Sequence, residues 1–285
     1  MPLAYPMQKF QDWFTQQWNI LWGRRIVPED VPWLMGPFGR PGEMTDGFFV
    51  QLAKEEGLTI ERNKPSQGLI SSIEKLNLPE DGLARLSPEV VRFYENTSDY
   101  HFTFAVKWRP FFKILGGLVN GLFSRRLEQL NMPTHNLEDP KEIESEIITL
   151  SDPGSKEVKY TIWSRAVKPT GQKIYSGVYS TCTLPSGQSC VKAVFPLPQG
   201  NATVIMSPQV GVDGQLILNS SGKKFGDPGF YFLLRDSQGN YWAQYIRSFR
   251  DKLIVSSHEE TILAEQALTL WGREVVRFKY WISHK

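Results

Sequence analysis

The stretch that decides the fold runs from residue 157 to residue 207 and reads EVKYTIWSRAVKPTGQKIYSGVYSTCTLPSGQSCVKAVFPLPQGNATVIMS. It predicts four strands, at 157–167, 173–183, 190–195 and 201–207, separated by the turn-forming segments KPTGQ, LPSGQ and LPQG. Links this short join antiparallel neighbours, because a parallel pair needs a crossover of a dozen or more residues. The stretch therefore predicts a run of antiparallel hairpins.

Short strands of the same kind continue on both sides of this stretch. They are predicted at 100–108, 145–150, 215–220, 229–235, 240–249, 252–257, 261–271 and 274–282. Many are apolar on both faces, whereas a sheet with one solvated face alternates apolar and polar residues. Roughly a dozen consecutive antiparallel strands must curl, and closure removes their exposed edges. We therefore expect an α+β protein with a large, strongly curved or closed antiparallel sheet, a calycin-like barrel.

The N-terminal third is expected to be different, a helical and irregular cap over residues 1–98 that precedes the barrel-like domain at 99–285. A helix at 8–22 carries a stripe of large apolar side chains, namely Phe10, Trp13, Phe14, Trp18, Leu21 and Trp22. We expect this stripe to be buried against the β domain. The alternative is weak contact with a membrane surface through residues 8–22, although the polar face of the helix lacks the cations that such contact favours.

A second helical segment, at 110–131, interrupts the β region directly after the strand at 100–108. Its apolar stripe is wide, and Gly116, Gly117 and Gly121 each weaken it by about 1 kcal/mol relative to alanine. Two interpretations stay open. The segment is either a mobile lid over the mouth of a cavity or a buried helix that plugs the sheet.

Composition excludes several functional classes for this chain of 285 residues. Its 32 basic and 30 acidic residues are too balanced for nucleic-acid binding, which requires a basic stripe. No stretch reaches the roughly 18 apolar residues of a membrane span, and the N-terminus does not resemble a signal peptide, so a cytoplasmic location is expected. The aromatic content of 13% suits a large core or an apolar ligand site.

Motifs for chemistry are absent from the sequence. The four histidines have no metal-ligand spacing, and there is no phosphate-binding loop or nucleophile elbow, so no metal, cofactor or catalytic residue is expected. Cys182 and Cys190 flank the turn around Ser186 symmetrically, which predicts direct cross-strand neighbours within reach of a disulfide. Two reduced core thiols are the alternative that a cytosolic protein favours.

The candidate ligand-binding residues are arginines and aromatic residues of the predicted strands: Arg165, Tyr179, Phe232, Tyr245 and Arg247. An inward-pointing arginine would hold an anionic head group, whereas an outward one would stack on an aromatic ring. We expect a non-enzymatic protein that binds a hydrophobic, lipid-like or isoprenoid molecule in a barrel cavity. The alternatives are an interaction or peripheral membrane protein without a cavity, and an enzyme on an apolar substrate using Glu265 with Arg247 or Asp227 with Lys224.

Four phrases of the sequence, FSRRLEQLNMP (123–133), IYSGVYSTC (174–182), GNATVIM (200–206) and FGDPGFYF (225–232), resemble a set of uncharacterised bacterial proteins. The resemblance runs from about residue 30 to the end and implies no activity, cofactor or site. Separately, the order of a strand, a helical interruption and a run of antiparallel strands is similar to that of intracellular fatty-acid-binding barrels. That likeness concerns fold alone, and function does not follow from it.

Overall fold

The structure is a computed structural model that describes residues 10–39, 47–109, 137–168, 171–259 and 261–285. The helix predicted at 110–131 lies outside the described residues. The elements are α1 (Phe10–Trp22), β1 (Arg24–Ile26), α2 (Gly47–Glu56), β2 (Thr59–Arg62), α3 (Glu80–Arg85), α4 (Pro88–Glu95), β3 (Tyr100–Trp108), β4 (Leu137–Ser151), β5 (Val158–Val167), β6 (Gln172–Thr183), β7 (Ser189–Leu197), β8 (Gly200–Val210), β9 (Leu216–Asn219), β10 (Gly229–Arg235), β11 (Tyr241–Tyr245), β12 (Phe249–His258), β13 (Thr261–Leu270) and β14 (Arg273–His284).

Ten of these strands form a closed antiparallel barrel, in the order β3 to β9 followed by β12, β13 and β14. Two pairings between strands that are distant in sequence complete the ring, β14 with β3 and β9 with β12, while β8 and β9 form a hairpin. A closed sheet has no free edge to pair with another chain. The prediction of a closed, calycin-like antiparallel sheet is confirmed.

A second, smaller sheet section branches from the barrel at β8. The first half of β8, Gly200–Ile205, pairs with β10, whereas Ser207–Val210 pairs with β9. Beyond β10 lie β11 and then β1, and we call these three strands the flank. β2 similarly extends the sheet beside the end of β4. The two-domain division at residue 98 stays a prediction, and the sheet includes β1 and β2 from the N-terminal side of that boundary.

The strand predicted at 240–249 is the one that the structure divides. β11 ends at Tyr245, and a turn follows before β12 starts at Phe249. The cause is the branch: β11 pairs with β10 in the flank, whereas β12 pairs with β9 and β13 in the barrel. The chain must therefore leave one sheet section for the other, and the N–H of Ile246 donates to the carbonyl of Phe230 at the crossing.

Three cores explain why many strands are apolar on both faces. The largest fills the barrel, where alternate residues such as Phe102, Phe104 and Ile147 point inward. Outside β4 to β7, α2 packs Phe49 and Ala53 on the opposite faces of those strands. The third core lies between the flank and Trp33 and Leu34, which belong to the segment between β1 and α2.

One end of the barrel, which we call the capped end, is closed by α4 and the segment before it. Phe93 and Tyr94 of α4 belong to the barrel core together with Leu69 and Ile70. The hydroxyl of Ser87 lies 2.8 Å from that of Ser257 and links the start of α4 to β12. At the opposite end, β3 finishes at Trp108 and β4 begins at Leu137.

The burial predicted for the α1 stripe is wrong for the two residues at its C-terminal end. Leu21 is 75% exposed and Trp22 is 69% exposed, and the buried face consists of Gln16, Asn19 and Ile20. The chain passes through Gly23 into β1, whose pairing with β11 sets the rotation of the last helical turn. The side chains of the first half of the stripe, up to Phe14, lie outside the described residues.

The hairpin of β6 and β7 confirms the cysteine prediction. Cys182 and Cys190 are direct register partners, and the turn between them centres on Ser186. Both are free thiols, and burial raises the pKa of Cys182 to about 11 and that of Cys190 to about 12. Such thiols are poor nucleophiles at neutral pH because the thiolate is the reactive form.

Candidate functional site

The barrel encloses a cavity of about 70 Å³ toward the capped end. Most of its lining is apolar and comes from α4 and from strands all around the ring; examples are Phe93, Phe102, Val204, Met206, Val255 and Ile282. Three polar side chains, Arg165, Asp251 and Gln266, also reach it. An apolar enclosure with a few convergent polar groups is typical of a small-molecule site.

Arg165 projects inward from β5 and is buried. Its guanidinium carbon lies 3.9 Å from the centre of the Trp163 ring and 5.9 Å from that of Tyr280. The indole N–H of Trp163 donates to the hydroxyl of Ser145 at 2.9 Å, which fixes the ring on which the arginine stacks. Burial raises the pKa of Tyr280 to about 12, and the nearby guanidinium opposes that rise.

Asp251 projects inward from β12 and is only 5% exposed. Its Oδ2 accepts a hydrogen bond from Nε2 of Gln266 at 2.7 Å, while Oδ1 has no donor among the residues that the structure describes. The backbone is held on both sides, because Asp251 N–H donates to the Ser220 hydroxyl and Ser220 N–H donates to the Asp251 carbonyl. Burial raises the pKa of this carboxyl to about 7, against the opposing effect of the Gln266 hydrogen bond.

Tyrosines complete the lining near the capped end. The ring of Tyr179 lies 5.6 Å from that of Trp163 in an edge-to-face arrangement. Tyr94 of α4 reaches the same space, and burial raises its pKa above the usual value. Tyrosine hydroxyls are neutral at physiological pH, so the charged side chains of this cavity are Arg165 and, above its pKa, Asp251.

The structure brings two of the five candidate ligand-binding residues, Arg165 and Tyr179, to the cavity. The other three lie at the flank. Phe232 of β10 is partly buried against Phe230 and Trp18, and Tyr245 of β11 donates its hydroxyl to the Pro228 carbonyl at 3.4 Å. Arg247 is exposed in the turn between β11 and β12. Ligand binding by any of the five stays a prediction.

The two titratable pairs considered for an enzyme lie outside the cavity. Glu265 is 3.6 Å from the ammonium group of Lys279, in an ion pair between neighbouring strands. The carboxylate of Asp227 accepts hydrogen bonds from the backbone N–H groups of Lys223 and Lys224, so it stabilises a turn. Within the described ranges, no group of three potential metal ligands comes together.

Sequence reasoning missed Asp251 and Gln266. A usable signal was present in DKLIV, 251–255, because a strand places Asp251 on the same face as Leu253 and Val255. Gln266 alternates in the same way with Ala264 and Leu268 on β13. A polar residue in phase with buried apolar residues is the pattern that identifies an interior polar group.

Fold and cavity define an antiparallel β-barrel with a small, largely apolar interior. In comparison with known proteins, no family model matches the chain, and no solved structure matches it. The chain is 25% identical over 226 residues to a protein named "Uncharacterized membrane protein YndJ" from Bacillus subtilis (strain 168). The match covers 79% of this chain and 39% of that relative, in agreement with the resemblance to uncharacterised bacterial proteins. No helix in the described part of the chain has the length and apolar character needed to cross a membrane.

Proposed function

We propose that the barrel interior binds a small, predominantly apolar molecule that carries a hydrogen-bond donor. The observation that carries this proposal is Oδ1 of Asp251, which lies at the wall of an apolar cavity and receives no hydrogen bond from any residue that the structure describes. A buried acceptor without a donor costs about 1–3 kcal/mol. A ligand N–H or O–H that reaches this oxygen removes that cost, and the apolar remainder of the ligand is buried against the lining.

The volume of the cavity limits the ligand. At about 70 Å³ it is roughly half the size of an engineered 150 Å³ cavity that holds benzene. A lipid-like or isoprenoid chain therefore enters only if lining side chains move. Met206 is the lining residue best suited to move, because methionine is unbranched and adapts to irregular spaces.

The test is to purify the protein, extract it with organic solvent and identify the released molecules by mass spectrometry. We expect one apolar compound in stoichiometric amount from the wild type. Ala264→Leu, which adds three carbon atoms at the cavity wall, should lose it. Ala267→Leu on the same strand is the matched control, because Ala267 lies on the opposite face of β13 from Ala264.

An extract with no compound above background would contradict the proposal, as would equal amounts from Ala264→Leu and wild type when both variants melt like wild type. The alternative of an enzyme on an apolar substrate stays a prediction, and neither pair of residues predicted for it, Glu265 with Arg247 or Asp227 with Lys224, lines this cavity. The expected cytoplasmic location also stays a prediction, since the partly matching relative is named a membrane protein.

A further inference from the structure

The end of α1 exposes two large apolar side chains at the edge of the flank. Leu21 and Trp22 are among the most exposed large apolar residues of the described chain, at 75% and 69%. Trp22 lines a groove of about 450 Å³ between α1 and β11 together with Trp18, Phe225 and Tyr245, and Leu21 precedes it in the helix. Exposed apolar clusters of this kind mark interaction sites.

Cations from three other segments surround this groove. The guanidinium of Arg24 in β1 lies 4.2 Å from the centre of the Phe225 ring. Lys224 is exposed directly beside Phe225 in the chain. Arg247 and Arg250 are exposed after Tyr245, and both act electrostatically on its hydroxyl.

The acidic group that acts on the same Tyr245 hydroxyl, Asp227, is already engaged. Its carboxylate accepts the backbone N–H groups of Lys223 and Lys224. The ion pairs found among the described residues lie elsewhere on the surface and involve none of Arg24, Lys224, Arg247 and Arg250. The groove therefore combines exposed apolar groups with positive charge that no described carboxylate neutralises through an ion pair.

We propose that this surface, formed by Leu21, Trp22, Arg24, Lys224 and Arg247, docks on an anionic phospholipid bilayer. Trp22 and Leu21 enter the boundary between head groups and acyl chains, where tryptophan is favoured, and the cations contact lipid phosphates. The helix alone lacks the basic face that such binding requires, and the fold supplies it from β1, the loop before β10 and the turn after β11.

A bilayer fits this surface better than a folded partner does. A stable protein interface buries about 1,000 Å² or more, whereas here two large exposed apolar side chains stand among arginine and lysine side chains, an arrangement that suits insertion of tryptophan at a membrane interface. Attraction of this kind depends on the density of negative charge and falls within a Debye length of the membrane surface. Binding should therefore require anionic lipid and weaken with added salt.

The experiment is co-sedimentation with vesicles of phosphatidylcholine alone and of phosphatidylcholine mixed equally with phosphatidylglycerol. We expect wild type to bind only the mixed vesicles. Arg24→Gln with Lys224→Gln should reduce the partition coefficient by about 25-fold, the product of a roughly fivefold contribution from each cation. Leu21→Ser with Trp22→Ser should remove most of the binding, and both residues are exposed enough for the fold to be unaffected.

Val212→Ser is the matched control, because Val212 is 89% exposed but lies in the β8–β9 turn at the capped end. It should bind like wild type, and Ala264→Leu should as well, which separates this proposal from the interior ligand. Wild type that fails to sediment with mixed vesicles would overturn the proposal. So would a Leu21 and Trp22 double variant that binds equally well, or a wild type in which this surface instead forms a dimer that the double variant abolishes.

Discussion

Two buried aspartates, one in the barrel interior and one in the flank, show how differently the two regions treat a polar group. Asp236 at the end of β10 accepts hydrogen bonds from the backbone of Gln238 and Asn240 and from the indole N–H of Trp242. From the part of the chain that the structure describes, the carboxylate of Asp251 accepts one hydrogen bond, from Gln266. Burial acts to raise the pKa of both, but at Asp236 the donors outweigh burial and the net pKa is lowered.

The difference teaches that burial alone does not decide the role of a carboxylate. The number of hydrogen bonds that it accepts separates a structural carboxylate from one that still has an acceptor oxygen without a donor. In the flank, the turn 236–240 satisfies Asp236 from within and thereby fixes the β10–β11 hairpin. In the barrel, Gln266 donates to Oδ2 of Asp251, and no described side chain donates to Oδ1. The interior therefore gives up stability at Asp251, which is the position where the proposed ligand would donate a hydrogen bond.

The largest expected effect is that Asp251→Asn stabilises the protein at high pH. The pKa of Asp251 is about 7 in the folded state against 3.8 in the unfolded state, so wild type loses stability as the pH rises between these values. A difference of about 3 pH units corresponds to about 4 kcal/mol. Urea unfolding should give similar stabilities at pH 4 and a variant that is more stable by up to this amount at pH 8.

The asparagine side chain keeps the shape of the aspartate and an acceptor for Gln266, so the comparison isolates the charge. If the difference between the two proteins were the same at pH 4 and pH 8, the carboxyl would have an ordinary pKa. The proposed difference between Asp251 in the interior, with a raised pKa, and Asp236 in the flank, with a lowered one, would then be wrong.

Asp236→Asn is expected to destabilise the protein, whereas Asp251→Asn is expected to stabilise it. The lowered pKa means that its ionised form stabilises the fold above the unfolded pKa of 3.8, and that this stability is lost as the pH falls through the folded pKa. Hydrogen bonds to a charged group contribute about 1.5–3 kcal/mol, so the variant should lose about that much at pH 7 and less at pH 3. The same urea series measures both aspartates, and a neutral or stabilising change at pH 7 would contradict the assignment.

The smallest expected effects come from substitutions on the two faces of α1, which packs against β10 and β11 of the flank. Ile20→Ala removes a buried side chain and should cost about 2 kcal/mol, whereas Leu21→Ala should stay within about 0.5 kcal/mol of wild type. Thermal unfolding of the two variants distinguishes the observed rotation of the helix from the rotation that its apolar stripe predicts. Equal losses would mean that both faces are buried.

Most of the fold could be predicted from local sequence signals. The turns LPSGQ and LPQG fix the hairpins of β6, β7 and β8, and even the Cys182–Cys190 register follows from symmetry around Ser186. Pairings between strands that are not consecutive could not be predicted in this way, because nothing near β8 indicates that its first half pairs with β10. The prediction of which side of α1 is buried was wrong for Leu21 and Trp22 for the same reason, because the pairing of β1 with β11 sets the rotation of the helix.

The candidate site was predictable in part. Arg165 next to Trp163 was recognisable as a strand arginine beside an aromatic ring, but its inward direction follows only from closure of the barrel. Phe232 and Tyr245 failed to join it because β10 and β11 leave the ring at the branch. Whether a strand belongs to the ring or to the flank depends on which strands it pairs with. Those partners can be distant in sequence, so the strand's own residues do not predict its place.

The branch at β8 also has a mechanical consequence. Adjacent residues of this strand face opposite sides: Met206 lines the cavity, and Ile205 lies in the flank core with Tyr231. A displacement of the β8 backbone at Met206 is therefore shared by Ile205 without any intermediate element. The inside of the barrel and the outer sheet are separated by the thickness of one strand, which acts as a common wall and transmits strain between them.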